Sequence, residues 1–169
     1  MRKQVVGAFA IAVAATGMML PAPASATTGS VAGERGYGQI RATGLGYDDC
    51  MVVVASGANG NHPTLFDCYQ YDDQMWYYPT PGNIGPIVNK YSGQYLTAQG
   101  LTPSPAFMYQ NTGQPDQQWS AESADSVNGL IVRFRNINSG LCLVIQQSAG
   151  AQAMQYDCHN YADQKWYLP

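Results

Sequence analysis

The segment NYADQKWYLP (160–169) contains a four-residue motif, Asp-Gln-x-Trp, that occurs three times in this chain. The earlier copies lie in QYDDQMWYYP (70–79) and in TGQPDQQWSA (112–121). Successive motifs are separated by 43 and 47 residues, and a period of this length indicates an internal repeat. The copies account for all three tryptophans of the protein, which are Trp76, Trp119 and Trp166.

Within each repeat, short runs of apolar and aromatic residues are separated by clusters of Gly, Asn, Pro and Ser. Runs such as 51–54, 106–109 and 130–134 are typical of β-strands joined by turns. No segment after residue 26 keeps a sustained helical period. The sequence therefore predicts an all-β architecture built from three repeats, at about 37–84, 85–127 and 128–169.

The first residues of the chain have the pattern of an export signal. Arg2 and Lys3 give a basic start, the run 5–20 is apolar, and Ala24-Ser25-Ala26 fits a signal peptidase site. A retained membrane anchor is the less favoured alternative, because the apolar run is short for a membrane span. We therefore predict a secretory signal peptide at 1–26, one domain at 27–169 without a membrane span, and a secreted, extracellular location.

The charge balance bears on possible partners. The chain has a net charge of −3, and losing Arg2 and Lys3 with the signal peptide would change it to −5. An acidic domain offers no basic face for a phosphate backbone. We do not expect nucleic acid as a partner.

The four cysteines of an exported chain are expected to form disulfide bonds. When the tryptophans are aligned, one cysteine position of the first and third repeats is Tyr95 in the middle repeat and the other is Asn111. The middle repeat thus lacks both cysteines together, which is the pattern that a bridge within each repeat would leave. We predict two bridges, Cys50 with Cys68 and Cys142 with Cys158, each contributing about 3 kcal/mol on the chain-entropy model.

Three Gln-x-Trp motifs, each in register with these cysteine positions, resemble the ricin B-type lectin repeat of the β-trefoil fold. The resemblance covers essentially all of the chain after residue 26. It implies a six-stranded barrel closed by three hairpins, with pseudo-threefold symmetry and a carbohydrate (a glycan or polysaccharide) as partner. The three motif tryptophans are then expected to be structural core residues, since a large indole is most useful where the repeats meet.

A sugar site needs a flat aromatic ring beside a few fixed polar groups. The resemblance places the ring two residues before the second cysteine position and a polar group immediately before the motif glutamine. The family's strand aspartate, two residues after the first cysteine position, is replaced here by Val52, Thr97 and Val144. The candidate carbohydrate-binding residues are therefore Phe66, Asp73, Gln74, Thr97, Tyr109, Asp116, Gln117, Tyr156, Asp163 and Gln164.

Two interpretations of the three rings remain open at this point, because edge aromatics serve both in packing and in binding. They either stack on sugars or pack against their own hairpins. Further tyrosines around the first and last motifs favour a recognition surface, for a glycan or for a protein. These are Tyr69, Tyr71, Tyr77, Tyr78 and Tyr161.

Catalysis finds little support in the sequence. His62 and His159 do not belong to a repeated polar pair, and the chain has neither Gly-x-Ser-x-Gly nor His-Glu-x-x-His. The aspartates at 48–49 and 72–73 lack the Asp-x-Asp-x-Asp-Gly pattern of a calcium loop, so we expect no metal site and no cofactor. We predict a secreted, non-catalytic protein that binds carbohydrate weakly and multivalently. The alternative is a secreted protein-binding module, such as an adaptor, inhibitor or recognition subunit.

Overall fold

The computed structural model describes residues 36–44, 48–54, 58–124, 130–146 and 150–169. The predicted signal peptide at 1–26 lies outside these residues. Within the described segments, no helix is long and apolar enough to cross a membrane.

Short antiparallel strands make up the described part of the chain, and the prediction of an all-β fold is confirmed. Three short 3₁₀ turns, Asp72–Gln74, Pro115–Gln117 and Ala162–Gln164, each end two residues before a motif tryptophan. The strands are Arg41–Ala42 (β1), Asp49–Val52 (β2), Thr64–Asp67 (β3), Trp76–Tyr77 (β4), Ile84–Gly85 (β5), Val88–Asn89 (β6), Tyr95–Ala98 (β7), Ser104–Tyr109 (β8), Trp119–Ser123 (β9), Ile131–Asn136 (β10), Cys142–Val144 (β11), Met154–Tyr156 (β12) and Trp166–Tyr167 (β13).

Each repeat contributes one hairpin, formed by β2–β3, β7–β8 and β11–β12. The strand that begins with each motif tryptophan pairs with the first strand of the following repeat, as in Trp76 opposite Asn89 and Trp119 opposite Asn136. In the last repeat, Trp166 lies opposite Ala42 of β1. The final motif therefore closes the ring of repeats, which explains its position so near residue 169. This is the threefold arrangement of a β-trefoil.

The three motif tryptophans lie in the centre of the fold and are almost completely buried. The indole Nε1 of Trp76 donates to the carbonyl of Met51 (2.8 Å), and that of Trp119 donates to the carbonyl of Leu96 (2.9 Å). The indoles of Trp76 and Trp119 thus fill the core and also anchor the first strand of their own hairpins. Among the described residues, the Nε1 of Trp166 has no hydrogen-bond partner.

The predicted disulfide pairing is confirmed: Cys50 is bonded to Cys68, and Cys142 to Cys158. In the middle repeat the two aligned side chains also meet, because the Asn111 amide Nδ2 donates to the Tyr95 hydroxyl (3.3 Å). A weak, exposed hydrogen bond therefore joins the two positions that a covalent bridge joins in the other repeats.

Candidate functional site

The motif glutamine has the same structural role in all three repeats. It is buried, its amide oxygen accepts from the backbone N–H three residues after the ring, and its amide NH₂ donates to the carbonyl one residue after the ring. The side chain thereby holds the loop that follows the ring against the 3₁₀ turn. The six bonds are Tyr69 N to Gln74 (2.5 Å), Gln74 to Asp67 O (2.7 Å), Thr112 N to Gln117 (2.8 Å), Gln117 to Gln110 O (2.8 Å), His159 N to Gln164 (2.9 Å) and Gln164 to Asp157 O (2.9 Å).

Among the candidate binding residues, the three glutamines and Thr97 do not reach the surface. The Thr97 hydroxyl is buried, donates to the carbonyl of Tyr95 (3.1 Å) and accepts from Gln117 Nε2 (3.1 Å). The structure therefore places these four residues beneath the candidate sites, where they position the loop. The rings, Asp73 and Asp163 are the predicted residues that remain in reach of a ligand, whereas Asp116 is itself buried.

The aspartate before each motif glutamine carries a buried acceptor. In Asp73, Asp116 and Asp163 alike, Oδ1 is almost completely buried and has no hydrogen-bond partner among the described residues. A buried oxygen without a donor is unfavourable, and a ligand does not reach it in this conformation. The Asp163 side chain as a whole is 28% exposed, so its remaining atoms are the part that a ligand can contact. In the middle repeat, however, Gln99 Nε2 donates to Asp116 Oδ2 (2.6 Å), so part of that carboxylate is already engaged.

The third repeat brings its ring and its aspartate to one cavity of about 240 Å³. Tyr156 comes from β12 and Asp163 from the 3₁₀ turn, while Val144 of β11 occupies the position of the family's strand aspartate. The imidazole of His159 lies beside both, with its ring centroid 6.3 Å from that of Tyr156 and its Nδ1 3.8 Å from Asp163 Oδ1. The cavity is lined by Pro103, Val144, Gln146, Gln152, Met154, Tyr156, His159 and Asp163.

One wall of this cavity comes from the middle repeat. Pro103 belongs to the loop between β7 and β8, and buried Gln155 of β12 holds that loop in place. Gln155 Nε2 donates to Ser104 Oγ (2.7 Å) and to the carbonyls of Gln99 (3.1 Å) and Gly100 (3.3 Å). The cavity therefore spans the border between two repeats.

The motifs do not single out His159, Gln146 or Pro103, and the sequence prediction lacks them. At the position of His159 the other repeats have Tyr69 and Thr112, so alignment of the repeats gives no common chemistry there. A signal for Gln155 does exist. It aligns with Leu65 and Met108, so it is a polar residue in a register that is otherwise apolar.

The rings of the first two repeats lie in different surroundings. Phe66 is 58% exposed, and its ring centroid is 6.4 Å from that of Tyr69. Tyr109 is half-buried and packs edge-on against Phe107, with centroids 6.2 Å apart. The middle ring thus has a packing role on its own strand, whereas the first ring projects into solvent.

Three hairpin repeats around a tryptophan core, each with a ring and an aspartate at the same positions, define a β-trefoil of the lectin type. The sequence model of the family described as "Ricin-type beta-trefoil lectin domain-like" matches residues 72–151 and 115–169. The chain belongs to this family. A search of curated proteins finds no significant match.

Solved structures with the same fold include the designed threefold-symmetric protein ThreeFoil, at 21% identity and a TM-score of 0.68, covering 79% of this chain and 98% of that chain. The hemolytic lectin CEL-III is 28% identical with a TM-score of 0.64, covering 80% of this chain and 30% of that chain. The C-half of an earthworm R-type lectin, solved with GalNAc, is 17% identical with a TM-score of 0.59, covering 79% and 98%. This chain therefore corresponds to about a third of CEL-III.

Proposed function

We propose that this protein is a secreted, non-catalytic carbohydrate-binding protein that recognises a glycan or polysaccharide through weak sites acting together. The observation that carries the proposal is the cavity of the third repeat. There the Tyr156 ring and the partly exposed side chain of Asp163 border the same space. A pyranose matches this pair, because its apolar face stacks on a ring while its hydroxyls donate to a carboxylate.

Weak binding at each site follows from the small number of contacts. One ring contact and a few solvent-competed hydrogen bonds contribute on the order of 1 kcal/mol each. The site also has Val144 where the family's strand aspartate would accept two sugar hydroxyls. Several such sites on one polymer can raise the overall affinity by about a hundredfold or more.

The lining of the cavity favours binding without catalysis. Among its described lining residues, Asp163 is the only carboxylate, whereas glycoside hydrolysis generally uses a pair. Two disulfides support a secreted protein, because such bonds persist in oxidising compartments.

The proposal is tested by affinity electrophoresis of the exported protein through gels that contain xylan, galactan, mannan or β-glucan. We expect retention by at least one polymer, and reduced retention of the triple variant Phe66→Ala/Tyr109→Ala/Tyr156→Ala. Tyr91→Ala, which removes an exposed tyrosine from a turn outside the three sites, is the matched control. Circular dichroism checks that each variant is folded.

Unchanged mobility in every gel, together with silence on a glycan array, would contradict the proposal. Co-purification of a defined secreted protein under those conditions would favour the alternative, a β-trefoil that serves as a protein-binding module.

A further inference from the structure

We infer that the third repeat binds several consecutive sugar units of a linear, uncharged polysaccharide, with Tyr161 as a second stacking platform beside Tyr156. The inference rests on the proposed function and specifies the ligand of the same site. It follows from the shape of the surface around the cavity, from a row of aromatic rings, and from the charges that face the groove.

The cavity continues into a depression on each side. On one side a depression of about 370 Å³ is lined by Gln146, Tyr161, Ala162 and Asp163. It shares Gln146 and Asp163 with the central cavity, so the two spaces adjoin. Asp163 thus stands between a space beside Tyr156 and a space beside Tyr161.

On the other side a depression of about 510 Å³ shares Gln146, Gln152 and Met154 with the central cavity. Its remaining lining residues are Pro105, Gly150, Ala151 and Ala153. The three adjoining spaces form a groove with Gln146 bordering all three, and their combined volume exceeds that of a single pyranose. Such a groove fits several linked sugar units of a polysaccharide better than one sugar unit.

A row of rings follows one part of this groove. The centroid of His159 is 6.3 Å from that of Tyr156 and 4.6 Å from that of Tyr161. The Tyr161 side chain is 71% exposed, while its backbone N–H donates to His159 Nδ1 (3.3 Å) and its carbonyl accepts from Gln164 N (3.4 Å). The backbone is therefore fixed and the ring is presented to solvent, an arrangement suited to stacking.

The first repeat has a similar row, Phe66, Tyr69 and Tyr71, with successive centroids 6.4 and 5.6 Å apart. In the middle repeat, Thr112 and Gln114 occupy the second and third positions of the row. Ring rows therefore belong to two repeats, and the row of the third repeat is the one that borders the groove.

The groove favours an uncharged chain. Among the described lining residues, the charged and titratable ones are Asp163, His159, Tyr156 and Tyr161, and the amides are Gln146 and Gln152. Amides donate to and accept from hydroxyls, whereas the Asp163 carboxylate repels uronate or sulfate groups. A neutral polysaccharide is the ligand class that offers hydroxyls to the amides and brings no negative charge near Asp163.

The test uses fragments of one to six units prepared from the polymer that retains the protein best, and measures their affinities by isothermal titration calorimetry. We expect affinity to rise at least roughly tenfold between one and three units, since each added stacking contact is worth about a few-fold. Tyr161→Ala should remove most of this rise. Tyr91→Ala, the matched control, should preserve the rise.

Equal affinities for one and three units would overturn the inference, as would a Tyr161→Ala variant that behaves like Tyr91→Ala. Stronger retention by polygalacturonate than by every neutral polymer would overturn the assignment of an uncharged chain. In each of these outcomes the protein still binds polysaccharide, so the proposed function survives. Failure to bind any polymer would instead overturn the proposed function.

Discussion

Gln155 shows how one side chain makes the third repeat different from the other two. Its backbone lies opposite Leu143, in the register that pairs Leu96 with Met108 in the middle hairpin. A buried amide at such a position must be hydrogen-bonded, and all of its bonds lead to loops. Its NH₂ group holds the loop that carries Pro103, and its Oε1 accepts from Ser139 Oγ (2.6 Å). Gln155 is therefore a positioning residue for the cavity wall.

Replacement of this amide by the residue of the first repeat, Gln155→Leu, should leave the fold intact. We expect a change in the free energy of unfolding of no more than about 2 kcal/mol, because the freed carbonyls of Gln99 and Gly100 lie on exposed residues and can bind water. The loop that carries Pro103 should exchange its amide hydrogens faster, and polysaccharide retention should fall.

Met108→Leu, a volume-conserving change at the equivalent position of the middle repeat, is the control for this variant. It should alter neither loop exchange nor retention. If Gln155→Leu also leaves both unchanged, the loop does not depend on Gln155 and its role as a positioning residue is contradicted.

The hairpins and their cross-links are the elements that the sequence predicts best. Repeated Gln-x-Trp motifs and the joint loss of two cysteines are local patterns, and the core tryptophans and both disulfides follow from them directly. The cavity is less predictable, because its wall comes from a loop of the preceding repeat. A pattern aligned within repeats contains no information on contacts between them, so Tyr156 and Asp163 were predicted and Pro103 was not.

The middle hairpin is expected to be the first to open, because Asn111 and Tyr95 share only an exposed hydrogen bond. Amide exchange should be faster in β7 and β8 than in the two disulfide-linked hairpins. The double variant Tyr95→Cys/Asn111→Cys should slow it and raise the free energy of unfolding by up to about 3 kcal/mol once oxidised. The double variant Tyr95→Ser/Asn111→Ser, which keeps the native disulfides and adds no thiol, is the control. A middle hairpin that exchanges more slowly than the others in the wild type would contradict the expectation.

A charge cluster on β9 and β10 gives this sheet a pH dependence. Glu122 bonds to Arg135 Nε (2.5 Å) and to Arg133 Nη2 (2.9 Å), and Arg133 Nη1 also donates to the His159 carbonyl (3.2 Å). Burial alone would raise the pKa of Glu122, but the hydrogen bonds from Arg135 and Arg133 and their positive charges lower it below the ordinary value of 4.5.

Because the folded-state pKa of Glu122 is the lower one, its contribution to stability is complete above about pH 4.5 and is lost as the pH falls through the folded-state pKa. We expect Glu122→Gln to lower the free energy of unfolding at pH 7 by no more than about 1 kcal/mol, since the pair is partly exposed. The difference from wild type should shrink in urea titrations over the range of pH that extends downward from about 4.5. A difference that stays constant over this range would contradict the assignment.

Across the whole molecule, threefold symmetry of the fold does not produce three equal sites. The first repeat has an exposed ring row, the middle repeat has a half-buried ring and an aspartate engaged by Gln99, and the third repeat has the cavity with a partly exposed aspartate. The conserved supports are the buried tryptophans and glutamines, while the surface residues above them differ. One scaffold therefore presents three candidate sites with different surroundings.

This difference between the sites predicts an order of effects on retention by an immobilised polysaccharide. Tyr156→Ala should reduce retention by about tenfold, because it removes the ring from the most complete site and also weakens the joint action of the sites. Phe66→Ala should have a smaller effect, and Tyr109→Ala the smallest, since Tyr109 packs against Phe107 and Asp116 is already bonded.

If the sites act together, the double variant Phe66→Ala/Tyr156→Ala should lose nearly all retention, while the free monosaccharide competes only weakly with the polymer. Equal effects of the three single variants would show that the sites are equivalent. Full competition by the monosaccharide, at a concentration equal to that of the sugar units in the polymer, would show that the sites act independently.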